Sequence, residues 1–298
     1  MKFGSPPTTF VYHLGVHCTD DDLLVQSLLQ DSARLEERQI LVPRPRAYRK
    51  LVRDQMHENR GNPAPEAEQK VFYDKLLPEA PVERVIFSDA DYTTLPRGVF
   101  EHRQLYSKAG FRTAWLRYLF PENPCEFFFA MRNPATYLPE VLQRKGMPDY
   151  EKFVNGVDPR NMLWSGVIER IQKNNPGCPV TVWCNEDTPL IWPEILRAIT
   201  GTEANYHMTG DFDLLRGIMK EEGLVKLEHF LSVHPPATAI HRRRIISAFL
   251  DKFALEEELE EEIDLPGWTP DFVDEVSATY DADMETIAAM PDVTLIMP

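Results

Sequence analysis

Four short apolar runs constrain this chain more than any other feature. Thr9–Val16, Val82–Phe87, Glu126–Met131 and Pro179–Cys184 read as strands buried on both faces. Between and after them lie stretches with helical spacing: Asp20–Gln30, Tyr48–Glu58, Arg103–Leu119, a segment from Pro134 to Arg144, Pro159–Lys173 and Trp192–Ile199. Buried strands that alternate with helices predict a three-layer α/β fold, a parallel sheet with helices on both faces. From Asp211 onward the pattern is mainly helical, with Val293–Met297 as a last short strand. The expected organisation is one domain over 1–298, with an α/β core to about 205 and a helical extension from about 206. Ligands in such folds sit at the carboxyl ends of the strands, which here means His17–Asp22 and Arg132–Glu140.

Charge narrows the partners. The chain carries 32 Lys and Arg against 47 Asp and Glu, a net charge of −15. Nucleic acids and anionic membranes are bound through basic footprints, so neither is expected as a partner. No run approaches the ~20 apolar residues that span a bilayer, so membrane insertion is not expected either. The opening M-K-F-G-S-P-P-T-T-F has no apolar stretch of the kind that marks a secretory signal. Four cysteines in 298 residues, none in a C-x-x-C, read as reduced thiols, and the expected location is cytoplasmic.

Several stretches together resemble the bacterial sulfotransferase family. They are F-V-Y-H-L-G-V-H-C-T-D-D-D-L-L, then S-A-R-L-E-E-R-Q-I-L-V-P and A-Y-R. The Ser of V-I-F-S-D-A-D, the Arg of A-M-R-N-P, the strand and acid of V-T-V-W-C-N-E-D, and the tail Y-D-A-D-M-E-T-I-A-A-M-P-D-V follow in the family's order. The resemblance implies a P-loop-type strand–loop–helix that holds 3′-phosphoadenosine-5′-phosphosulfate. An anionic donor wants helix N–H groups, a lysine charge, a glycine for close approach and hydroxyl donors. Against the family opening H-x-G-x-H-K-T-G-T-T, this chain keeps His13, Gly15, His17 and Thr19. Cys18 stands where the family has Lys, Asp20 where it has Gly, and Asp21 and Asp22 where it has hydroxyls. Arg132 matches the arginine that the family places on the 3′-phosphate, but Glu140 stands where its serine partner belongs. The glutamate expected after Ser88 is replaced by Ala90, between Asp89 and Asp91.

Magnitudes turn these departures into an expectation. One carboxylate about 4 Å from a phosphate charge costs ~4 kcal/mol at an effective dielectric near 20. Three of them, even after a several-fold reduction by exposure, offset a micromolar affinity worth about −8 kcal/mol. A carboxylate at a helix start gains only ~0.3–1 kcal/mol. The expected function is therefore a sulfotransferase-like protein that has lost donor binding and catalysis, needs no cofactor, and binds a protein or glycan. One alternative is an active sulfotransferase with an atypical donor loop. There Arg132, Thr19 and loop amides would hold the donor, and His17 or a nearby acid would deprotonate a hydroxyl or amine acceptor. A third reading is a metal-dependent hydrolase built on Asp20–Asp22 with His17.

Other residues carry paired readings. Asp20–Asp22 are read first as acids that cap their helix in a solvated turn. Cys18 is read as a small residue in the lysine's place, against a reactive thiol at a helix start. His13 is read as a structural histidine, whereas His17 faces the loop. Arg132 is read as an ion-pair partner of Glu140 or Asp20, against a retained anion contact. His241–Arg244 is read as a solvated basic face, against a subsite for an acidic glycan. Glu256–Asp264 is read as an acidic amphipathic helix that neutralises those arginines or meets a partner. Tyr12, Trp115, Trp164, Trp183, Trp192 and Phe127–Phe129 are read as core.

Overall fold

β-Branched and aromatic side chains dominate the four apolar runs, and in the computed structural model each run contributes one strand of a single sheet. Residues 7–77, 80–144, 146, 149–255, 263 and 265–298 are described. The strands are β1 (Thr9–His13), β2 (Ile40–Leu41), β3 (Arg84–Ser88), β4 (Cys125–Met131), β5 (Val180–Cys184) and β6 (Val293–Ile296). Their order is β2-β3-β1-β4-β5-β6, and every pair is parallel. Register brings His13 beside Ser88, so β1 and β3 end level with one another.

Alternate residues supply the two faces. Tyr12, Phe87, Phe127 and Phe129 enter one apolar cluster, while Val11, Ile86, Phe128 and Trp183 enter the other. Helices α1 (Leu23–Gln30) and α2 (Ser32–Glu36) cover the second face. On the first face lie α3 (Pro45–Asn59), α4 (Glu66–Leu76), α5 (Ala109–Arg117), α6 (Pro134–Arg144), α7 (Tyr150–Val154) and α8 (Trp164–Asn174). α9 (Thr188–Thr200) returns to the second face. α10 (Asp213–Ile218), α11 (Glu221–Val233) and α12 (Ala239–Phe253) build a third cluster around Leu224, Leu227, Ile246 and Phe253. α13 (Pro270–Ala288) places Tyr280 and Ile287 on the first face. The three-layer α/β expectation and the helical C-terminal part are both observed.

Several boundaries differ from the sequence reading, each for a local reason. β1 stops at His13 rather than Val16, because the chain turns at Gly15, where φ is 52°. A Cβ at Gly15 would lie 2.9 Å from the Ala90 Cα, so glycine is required there for packing against the loop after β3. α1 begins at Leu23, not Asp20, because Asp21 and Asp22 have φ of 44° and 71° and cannot belong to a right-handed helix. The helix expected over Arg103–Leu119 begins at Ala109, since His102, Arg103 and Tyr106 also have positive φ. Pro159–Asn161 forms a separate short turn ahead of α8. β2 and α4 were not foreseen: two residues leave no period, and α4 buries only Phe72.

The basic cluster is not a solvated face throughout. Arg242 and Arg243 each lie 3.3 Å from the Glu194 carboxylate of α9 and are mostly covered. Apart from Ile263, the acidic stretch Glu256–Asp264 lies outside the described residues. Among the described residues, no helix is long and apolar enough to cross a membrane.

Candidate functional site

The carboxyl ends of β1, β3 and β4 meet where the strand order changes direction, and the loops that leave β1 and β3, with Arg49 of α3, line a cavity of about 390 Å³. Five carboxylates line it, from Asp20, Asp21, Asp22, Asp89 and Asp91, against one guanidinium, from Arg49. The volume suits a small ligand. The wall is strongly acidic in composition.

Each acid of the loop after β1 has a different partner. Asp20 Oδ2 accepts from the Leu24 amide at 3.1 Å, which is the helix-capping role foreseen for all three. Asp22 occupies the N-cap position of α1, yet its side chain makes no cap bond. It accepts instead from both terminal nitrogens of Arg49, with Nη1 at 2.9 Å. Asp21 pairs with Arg144 at the end of α6. The capped-turn expectation therefore holds for Asp20 and is corrected for Asp21 and Asp22, whose carboxylates are held by arginines from two other helices. These diverging directions also bear on the metal reading. Among the described residues, no three His, Cys, Asp or Glu side chains are placed to hold a metal ion.

Arg49 links two acids to the sheet. Its Nε donates to the Ser88 carbonyl at 2.9 Å and lies 3.9 Å from Asp89 Oδ2. Burial works to lower the Arg49 pKa, but the bonds to Asp22 and the charges of Asp89 and Asp22 raise it overall. Asp89 is 5% exposed, and burial pushes its carboxyl above the ordinary value.

Arg132 follows β4 directly and is 6% exposed. Its Nη1 donates to the Cys18 carbonyl, and its Nε lies 3.3 Å from the Thr136 hydroxyl. Cys18 has φ of 61° and is buried, which turns its carbonyl toward that guanidinium. Glu140 is bonded to Arg144 at 3.0 Å, so the expected pairing of Glu140 with Arg132 is corrected. Thr19 donates its hydroxyl to the Val16 carbonyl at 2.7 Å. The structure thus brings His17, Cys18, Thr19, Asp20–Asp22 and Arg132 to one end of the sheet, with Glu140 at its margin through Arg144.

The two histidines sit deeper than the loop. His13 is 1% exposed, its Nδ1 is 2.9 Å from the Ser88 hydroxyl, and its ring stacks on Trp183. His17, 3% exposed, does not face the loop freely. Its Nδ1 is 2.9 Å from the Tyr106 hydroxyl and its Nε2 is 3.3 Å from Asp91 Oδ1. The Tyr106 hydroxyl lies 3.0 Å from that of Tyr137, which extends the chain of hydrogen bonds into the core. Burial raises both tyrosine pKa values, so both hydroxyls stay protonated at neutral pH. Tyr106→Phe removes the group shared by His17 and Tyr137. It is expected to cost ~1–3 kcal/mol, the range for leaving a buried polar partner unsatisfied. Equilibrium urea unfolding measures this, and an unchanged midpoint would show the chain of bonds to be energetically idle.

His13 gives the site a pH dependence of definite sign. Burial lowers its pKa from 6.5, opposed by the charges of Asp20 and Asp22 and assisted by Arg49. Below pH 6.5 the unfolded chain takes up a proton that the folded imidazole resists. Stability therefore falls as pH drops from 6.5 toward the folded pKa, by at most ~1.4 kcal/mol per pH unit. Asp89 acts with the opposite sign: its folded pKa is raised from 3.8, so its contribution is full below 3.8 and lost as pH rises through the folded value. Urea midpoints measured from about pH 7 to pH 5.5 should fall in the wild type and fall less in His13→Gln. Parallel curves for the two proteins would remove His13 as the cause.

Sequence reasoning missed four residues that organise this site. Arg49 lies in the A-Y-R segment, and Asp22, the Ser88 carbonyl and Asp89 together give it its role. Arg144 could be read from its i,i+4 spacing to Glu140 but not as the partner of Asp21, 123 residues away, and Tyr106 and Tyr137 meet partners 89 and 31 residues away.

Comparison with known proteins adds one finding. No protein-family model and no curated protein matches this sequence. Among solved structures, the chain is similar to a sulfotransferase from Alicyclobacillus acidocaldarius, with 13% identity over 82% of this chain and 99% of that one, and a TM-score of 0.36. That likeness assigns no role to any residue here.

Proposed function

We propose that this chain is a sulfotransferase-like α/β protein whose cleft excludes 3′-phosphoadenosine-5′-phosphosulfate and which acts by binding a protein or glycan. The observation that carries this reading is the pairing of Asp22 with Arg49 and Asp21 with Arg144. Two cations near the helix start are occupied by the chain's own carboxylates. A bound phosphate would have to displace both acids and lie among five carboxylates. At the retained donor positions, Thr19 donates to the Val16 carbonyl, and Arg132 donates from Nη1 to the Cys18 carbonyl and from Nε to the Thr136 hydroxyl.

The active alternative draws less support from the geometry. Of the two kinds of base that reading offers, His17 has both ring nitrogens engaged, which leaves the role to a nearby acid such as Asp89. The hydrolase alternative would need convergent carboxylates, and those of Asp20–Asp22 point to three different partners.

Isothermal titration with 3′-phosphoadenosine 5′-phosphate tests the reading. Binding weaker than about 1 mM at physiological salt is expected. Micromolar affinity that is lost in Arg132→Ala would falsify it.

A further inference from the structure

Cys125 and Cys178 lie at the amino-terminal ends of β4 and β5, at the opposite end of the sheet from the acidic cleft. Phe127 pairs with Val180 in the parallel ladder, and the Phe127 amide donates to the Pro179 carbonyl at 3.0 Å. Each cysteine stands two residues before one member of that pair, so the two are cross-strand neighbours. A step of two residues also returns to the same face of a sheet. Both thiols belong to the same apolar cluster as Phe127 and Val180. Adjacent strands are about 4.7–4.9 Å apart, and a disulfide spans Cα separations of about 4.4–6.8 Å.

We infer that Cys125 and Cys178 form an oxidisable dithiol, a modification site that hydrogen peroxide closes to a disulfide between β4 and the turn ahead of β5. Both are free thiols within that one apolar cluster. The neighbouring Cys125 thiol brings the Cys178 thiol down to about 7, with the Arg117 charge in the same direction and burial opposing. Burial holds Cys125 well above the ordinary thiol value. The pair therefore has one ready nucleophile and one retained proton.

Access comes through the turn. Cys178 donates its amide to the Asn175 carbonyl, and Pro176 and Gly177 between them are exposed, with Gly177 at φ 78°. Local opening of such a turn uncovers the sulfur at little expense. The Cys178 thiolate attacks one peroxide oxygen; an S–O bond forms, the O–O bond breaks and hydroxide leaves. The Cys125 sulfur then attacks that sulfur; the S–S bond forms, the S–O bond breaks, and the departing hydroxide takes the Cys125 proton and leaves as water. Two thiols lose two electrons and two protons, and peroxide becomes two waters. Cys18 and Cys184 are outside this pairing. Cys184 lies six residues along β5, about 20 Å away at the rise of a strand.

The test uses the full chain and hydrogen peroxide at a slight molar excess. Thiols titrated after denaturation should fall from four to two, and unreduced peptide mapping should recover a Cys125–Cys178 cross-link. Cys178→Ser should keep its three thiols unlinked. A Cys18→Ser/Cys184→Ser double variant retains only the proposed pair, so it should lose both remaining thiols even if single core substitutions fold poorly. Four titratable thiols after treatment of the wild type, or a cross-link that includes Cys18 or Cys184, overturns the assignment.

Discussion

Replacing Asp20, Asp21 and Asp22 together by asparagine is expected to raise the affinity for 3′-phosphoadenosine 5′-phosphate at least about a hundredfold. Three negative charges leave the cavity wall, and Arg49 and Arg144 each lose one of their acids, keeping Asp89 and Glu140. A single carboxylate about 4 Å from a phosphate costs ~4 kcal/mol at an effective dielectric near 20, and a tenfold change in affinity needs only ~1.4 kcal/mol. Asparagine is the right replacement for two reasons. It tolerates the positive φ found at positions 21 and 22, and at position 20 it still accepts a helix amide. Isothermal titration at two salt concentrations measures the gain, which should shrink as salt rises. No gain in the triple variant would mean that loop shape, rather than charge, closes the cleft.

Trp164→Ala is expected to destabilise the fold by ~3–5 kcal/mol. The indole is 1% exposed and packs against Tyr106, Phe129 and Tyr137, with ring centroids 5.8, 6.3 and 6.2 Å away. Its Nε1 donates to the Arg132 carbonyl at 3.0 Å, so the truncation also releases the residue that links β4 to the loop after β1. Domain stabilities of about 5–15 kcal/mol make this a large fraction of the total. Trp164→Phe should recover most of the packing and leave a smaller deficit from the lost hydrogen bond. Chemical denaturation of both variants measures the two components. A loss below about 1 kcal/mol in Trp164→Ala would show that the indole is not a core anchor.

How far the sequence could be read depended on whether a signal was local. The parallel sheet was visible because Phe127, Phe128 and Phe129 are consecutive and so place apolar side chains on both faces, and a strand with two apolar faces belongs in the middle of a layered fold. The acid run Asp20–Asp22 was visible as a departure from a phosphate-binding loop. Its local conformation was not: three consecutive acids before Leu23 look like the first turn of a helix, whereas Asp21 and Asp22 have positive φ and pair with Arg144 and Arg49 from other helices. Arg242 and Arg243 show the same limit. Their own helix gives them a polar face, and only α9 brings Glu194 to it.

The sequence by itself determined the layer architecture, the aromatic core and the acidic character of the cleft, because hydrophobic periodicity and charge type are carried by neighbouring residues. Only the tertiary structure decided which cation each acid meets, why Gly15 is needed against Ala90, and how His17 is tied to Tyr106 and Asp91. Those are contacts between segments tens of residues apart, and their energies depend on distance and burial, which no stretch of sequence specifies alone.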